Sequence, residues 1–123
     1  MREPTDRMRK VNSTLREVIA EEVERLSDPR LEMVSVTAVD TAPNLRHAVV
    51  YVDVLDAGKQ QDALDALGKA ARRLQSVIAA QVRMKFTPTL DFRMDQGVIE
   101  GARIDQLLRD LETASDEAEE DSK

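Results

Sequence analysis

LGKAARRLQSVIAAQVRMKFTPTLDF, residues Leu67 to Phe92, is the stretch whose reading decides the fold. It reads as a helix, a break at a proline and a strand. No acid lies between Asp65 and Asp91, although the chain is acidic overall. Lys69, Arg72, Arg73, Arg83 and Lys85 all fall inside that gap. An ideal helix turns by about 100° per residue. Leu67, Ala70, Ala71, Leu74, Val77, Ile78 and Val82 then fall within an arc of roughly 140°, the width of a core-facing stripe. Lys69, Arg72, Arg73 and Arg83 project to the opposite side. The expectation is one helix with a buried face and a cationic face, with no acid to compensate it.

Working backwards, Asp62 to Asp65 open the helical pattern, and Gly68 inside it is a plausible bend, at about 1 kcal/mol relative to alanine. Before it, residues 33–42 and 46–55 alternate and are rich in β-branched residues, so they read as strands. Val34, Val36 and Ala38 share one face of the first; Ala48, Val50, Val52 and Val54 share one face of the second. Pro43-Asn44 supplies turn chemistry between them, asparagine tolerating unusual φ. Val11, Leu15, Val18, Ile19, Val23 and Leu26 repeat at helical spacing, giving a helix over 6–26 with Glu21, Glu22 and Glu24 outside. Ser27-Asp28-Pro29 stops it, because proline disfavours helix in the preceding residue.

Working forwards, Thr87-Pro88 ends the second helical region. Leu90, Phe92 and Met94 alternate with Asp91, Arg93 and Asp95 in a third strand with one wet face. Ile104, Leu107, Leu108 and Leu111 predict a last helical turn or two beyond a loop framed by Gly97 and Gly101. The order is helix, strand, strand, helix (one or two), strand. A three-stranded sheet with helices packed on one face, an α+β fold, is the economical arrangement.

The chain divides into a flexible arm, residues 1–5, a domain over 6–111 and an acidic tail over 112–123. Of 24 acids and 18 bases, six acids and one base lie in that tail. The rest carries a net charge of −1, so only local charge can point to a polyanionic partner. Arg2, Arg7, Arg9 and Lys10 make the opening basic, a loose arm or a phosphate-contacting one.

Several function classes drop out. Aromatics are 2% of the chain, which weakens readings that need base-stacking platforms. With no cysteine and with His47 as the sole histidine, no thiolate or histidine-pair metal site forms. Asp53, Asp91 and Asp95 read as solvated strand positions rather than a carboxylate pair. The four glycines form no phosphate loop and no G-x-x-G. An enzyme is not expected, nor a cofactor, metal or small-molecule substrate. No apolar run approaches the ~20 residues of a membrane span, so a soluble cytoplasmic protein, expected to be a monomer, is the default. Acids early and bases late in the 62–85 helix also complement its macrodipole. That leaves Lys69, Arg72 and Arg73 unexplained, and a nucleic-acid contact is the alternative.

Five segments together resemble the ribosome-binding factor A family. They are Asp28-Pro29-Arg30-Leu31, the strand VSVTAVD, Asn44-Leu45 with Ala48-Val49-Val50-Tyr51-Val52, the run AARRLQSVIAAQVRMKFTPTLDF, and Asp95 followed by Gly101-Ala102-Arg103-Ile104. They stand in the family's order and cover about residues 7–111. The resemblance implies a type II KH-like domain, α-β-β-α-α-β, lacking the G-x-x-G loop. Relatives usually carry Ala-x-Gly between the last two helices, where this chain has Ala70-Ala71-Arg72. Either Gly68 takes over part of the bend or the helix runs straighter.

The resemblance also implies a non-catalytic 30S subunit assembly factor. Such a factor binds 16S rRNA on pre-30S particles, supports late maturation and 5′-end processing, and leaves before translation. Phosphate contacts are then expected from Lys69, Arg72, Arg73, Arg83 and Lys85, with Arg7, Arg9, Lys10, Arg30 and Arg46 as further candidates. Charge reversal at Arg72 and Arg73 is expected to weaken subunit binding with little loss of stability. The competing readings are a generic KH-like RNA-binding module and a protein-interaction or dimerisation α+β domain.

Overall fold

A computed structural model describes residues 5–95 and residue 97. Residues 1–4 of the expected arm, the final helical turn at Ile104–Leu111 and the acidic tail lie outside the described residues, while Thr5, assigned to that arm, belongs to the first helix as its cap. The first helix, α1, spans Asp6–Arg25. Thr5 caps it, its hydroxyl accepting from the Met8 N–H at 3.2 Å. Asp6 in the first turn and Arg25 in the last complement the helix dipole. Leu26 is extended, and Pro29–Leu31 form a short turn on which Asp28 sits as cap. Leu15, Ile19 and Val23, four apart, are buried. Glu22, expected on the outside, is buried as well.

Strands β1 (Val34–Thr41) and β2 (His47–Val54) form the expected hairpin, and β3 (Thr89–Met94) lies parallel to β2 on its other side. The sheet order is β1-β2-β3. The hairpin corrects two details. At its turn the left-handed residue is Leu45, φ 64°, rather than Asn44. Asn44 instead accepts the Arg46 N–H on its side-chain oxygen at 3.0 Å, while Leu45 donates to the Ala42 carbonyl at 2.8 Å. Within β1 the register slips between Val36 and Ala38. Such a bulge adds one residue and reverses the faces beyond it. Val39 and Thr41 are therefore buried with Val36, and Ala38 turns outward opposite Tyr51.

The second helix, α2, is a single element over Gln60–Gln81, so the observed order is α-β-β-α-β. Gly68 does not break it: no described glycine has a positive φ, and a Cβ at Gly68 would meet nothing within 4 Å. The helix also stops earlier than the apolar spacing predicts. Val82 is already extended, its N–H donating to the Ile78 carbonyl at 2.8 Å. Length explains this. The 22 residues of α2 rise about 33 Å, while the eight of β2 cover about 26 Å. A longer helix would overshoot the point where β3 must start, beside His47. Residues 82–88 make the return, and Pro88 is buried with its carbonyl accepting from Gln75 Nε2 at 3.0 Å.

Leu67, Leu74 and Ile78 of α2 meet Leu15 and Ile19 of α1 and Val36, Val39, Ala48, Val50 and Val52 of the sheet in one aliphatic core. Both helices thus cover one face of the sheet. Each buried leucine or valine contributes roughly 1.5–3 kcal/mol.

Candidate nucleic-acid interface

The ten sequence-predicted cations do not share one surface. Arg83 and Lys85 lie beyond the end of α2, in the 82–88 return. There they join Arg7, from the first turn of α1, and Arg46, from the hairpin turn, around a groove of about 1040 Å³. The fold makes this meeting. The first turn of α1, the hairpin turn and the last turn of α2 all come to the end of the sheet where His47 pairs with Thr89. Among the described residues no Asp or Glu lines the groove. Among the described residues none of its four cations is in an ion pair. The Arg46 guanidinium lies 4.2 Å from the centre of the Phe86 ring, and the Lys85 ammonium 5.5 Å. Both are within reach of a cation–π attraction.

A second cavity, about 590 Å³, lies between the turn after α1 and the first half of α2. Lys69, Arg73 and Arg30 line it, together with Asp28. Here the expectation of an uncompensated cationic face fails. Arg73 Nε donates to Glu22 Oε1 at 3.0 Å, and the Glu22 side chain is only 7% exposed. A carboxylate in that position needs its cation, because an unpaired buried charge is costly. Arg30 is committed too. Its Nε reaches both Asp28 oxygens, at 3.0 and 3.2 Å, and a terminal nitrogen donates to Oδ2 at 2.7 Å. That fork, then the Arg30 backbone N–H, lowers the Asp28 carboxyl to about 2; the Arg30 and Lys69 charges add to the effect. The same bond raises the Arg30 pKa.

The remaining candidates line neither hollow. Arg72 is exposed on α2 and Arg9 and Lys10 are exposed on α1. The residue that sequence reading passes over is Phe86. So few aromatics argue against stacking, yet the run Arg83-Met84-Lys85-Phe86 places one of the three rings among cations.

The open face of the sheet has the opposite sign. The core-facing positions of β1, β2 and β3 put Asp40, Asp53 and Asp91 outward, with Arg93 bound to Asp91 at 2.8 Å. His47 is exposed and its Nδ1 is 2.7 Å from Thr89 Oγ1, a cross-strand pair. Among the described residues no three His, Cys, Asp or Glu side chains gather in a way that could hold a metal ion. No described helix is long and apolar enough to cross a membrane.

The family model for "Ribosome-binding factor A" matches residues 7–108. A Ribosome-binding factor A from Rubrobacter xylanophilus is 42% identical over 106 residues, 85% of this chain and 87% of the relative. The crystal structure of ribosome-binding factor A from Thermus thermophilus superposes with a TM-score of 0.67 at 34% identity, covering 71% of this chain and 94% of that one. A homology model of the Thermus thermophilus protein, fitted into a cryo-EM map of its complex with 30S, gives a TM-score of 0.59 at 35% identity, covering 69% and 91%. These likenesses carry the KH-like α+β assignment.

Proposed function

This chain belongs to the ribosome-binding factor A family, and from that membership we propose that it is a non-catalytic assembly factor of the small ribosomal subunit. It binds the 30S subunit through 16S rRNA on pre-30S particles and supports late maturation and 5′-end processing. The observation that carries the reading is the groove of Arg7, Arg46, Arg83 and Lys85, free of acids among the described residues. Four cations in one concavity, unpaired among the described residues, repel one another, and a polyanion relieves that repulsion while releasing its own counterions. Contacts of this kind give affinity and register without reading sequence. The protein then acts as a placeholder, holding an immature rRNA conformation by its backbone.

The relative captured on the 30S subunit supports this partner for the present chain. Among the sequence-predicted contacts, the groove cations and exposed Arg72 and Lys69 bind phosphate, whereas Arg73 and Arg30 work within the fold. The test is sedimentation of lysate with the tagged chain. Comigration with 30S particles rather than 70S ribosomes is the expected result, weakening as salt rises. The pair Arg46→Glu and Arg83→Glu should lower 30S affinity by about tenfold or more. A free dimer peak with no 30S-bound fraction would overturn the reading.

A further inference from the structure

The groove is more apolar than phosphate binding requires. Met8, Val11, Leu45, Val82, Met84 and Phe86 line it between the four cations. Duplex RNA turns its phosphates and riboses outward and keeps its base faces stacked inside. A duplex laid on this groove would satisfy the cations and leave the apolar floor wet. An unpaired strand brings both parts, charge for the rim and base faces for the floor.

The floor also holds a ready stacking element. The Arg46 guanidinium already lies over Phe86 at 4.2 Å. Aromatic rings and guanidinium planes are the surfaces on which proteins stack splayed-out bases. Arg46 is exposed and Phe86 only partly buried, so the pair is open to a third plane. Lys85 and Arg83 flank Phe86 in sequence, and Arg7 joins them from α1.

Resting on the 16S rRNA reading above, we propose that the groove selects unpaired RNA. One nucleobase stacks on the Phe86–Arg46 pair, and the neighbouring phosphates lie against Arg7, Arg83 and Lys85. This makes Phe86 a binding residue in a domain without a G-x-x-G loop. The occupant is a short flexible strand, and no particular base is required, since every base offers a face.

The experiment is fluorescence anisotropy on the full chain. The probes are a labelled single-stranded RNA of about ten nucleotides, within the roughly 4–16 that a single-strand-binding OB-fold covers, and its blunt duplex. The single strand should bind at least tenfold more tightly. Phe86→Ala should weaken it about 5- to 150-fold, the worth of one stacked base, with the salt slope unchanged. Arg83→Gln should instead reduce the slope by about 0.7, one phosphate contact on a single strand. If circular dichroism shows Phe86→Ala unfolded, Arg46→Lys decides, because it keeps the charge and loses the plane: several-fold weaker binding at constant slope supports the proposal. Equal affinity for duplex, equal competition by polyglutamate, or wild-type affinity in a folded Phe86→Ala overturns it. The wild-type chain cosedimenting with 30S alongside any of those results removes this proposal alone. Failure to cosediment removes the reading beneath it.

Discussion

Arg73 shows how one residue changes meaning between sequence and structure. In sequence it is an exposed cation beside Arg72 on a helix face without acids. In the fold it is bound to Glu22, 51 positions away, whose side chain is buried. Removing Arg73 leaves that carboxylate without its main donor, the remaining cation Arg25 lying 3.9 Å away. Arg73→Glu should therefore lower stability by about 1–3 kcal/mol in urea denaturation, the cost of stranding a buried acceptor. Arg72→Glu should leave it nearly unchanged. The double variant Glu22→Gln/Arg73→Gln should recover part of the loss, as interacting neighbours do. Charge reversal at Arg73 is accordingly a poor probe of binding, and Arg72 a clean one. Asp28 makes a second residue-scale prediction. Its folded pKa, about 2, lies below the ordinary 3.8 of an aspartate. The turn is thus favoured above pH 3.8, and that contribution is lost as pH falls through about 2. Carbon-detected NMR titration should find the Asp28 midpoint near 2, well below the ordinary 3.8. Arg30→Ala should raise it only part of the way back, because the backbone N–H of residue 30 still donates to the carboxylate.

At the scale of elements, α2 differs most from its expectation. The apolar spacing that predicts the helix continues through Val82, so nothing in the pattern marks its end. The limit comes from the sheet, whose edge the chain must rejoin at Thr89. The bulge at Val36–Ala38 was hidden for a related reason. Val36, Ala38 and Val39 are all apolar, so alternation cannot say which face the later residues take. The elements themselves, their order and the hairpin were legible because periodicity and proline positions are local signals. Contacts such as Glu22–Arg73, and the meeting of Arg7, Arg46, Arg83 and Lys85, depend on tertiary geometry and were not. Gly68 supplies the prediction here. It lies exposed in the interior of a continuous helix, and a methyl group there meets nothing within 4 Å. Gly68→Ala should stabilise the protein by about 0.5–1 kcal/mol, through reduced freedom of the unfolded chain and better helix propensity. A drop in the urea midpoint instead would mean that the helix needs glycine's freedom at this point.

Across the described residues the groove and the open face of the sheet carry opposite charge. The groove end carries Arg7, Arg46, Arg83 and Lys85, and the open face of the sheet carries Asp40, Asp53 and Asp91. A body of near-zero net charge can therefore still orient strongly in the field of a polyanion. Such steering acts on association rate and falls with ionic strength. The two faces should respond differently to substitution. On the proposed reading the groove cations contact the subunit, so reversing their charge should raise the dissociation rate from 30S particles as well as slow association. Neutralising the sheet face, with Asp40→Asn and Asp53→Asn, touches no contact and only relieves repulsion at a distance. It should speed association by about twofold at low salt, leave dissociation unchanged, and lose its effect near 0.3 M salt, where the screening length shrinks to roughly 6 Å. Surface plasmon resonance on immobilised 30S particles separates the two rates. A slower association or faster dissociation in the sheet-face variant would mean that this face, and not the groove, meets the subunit.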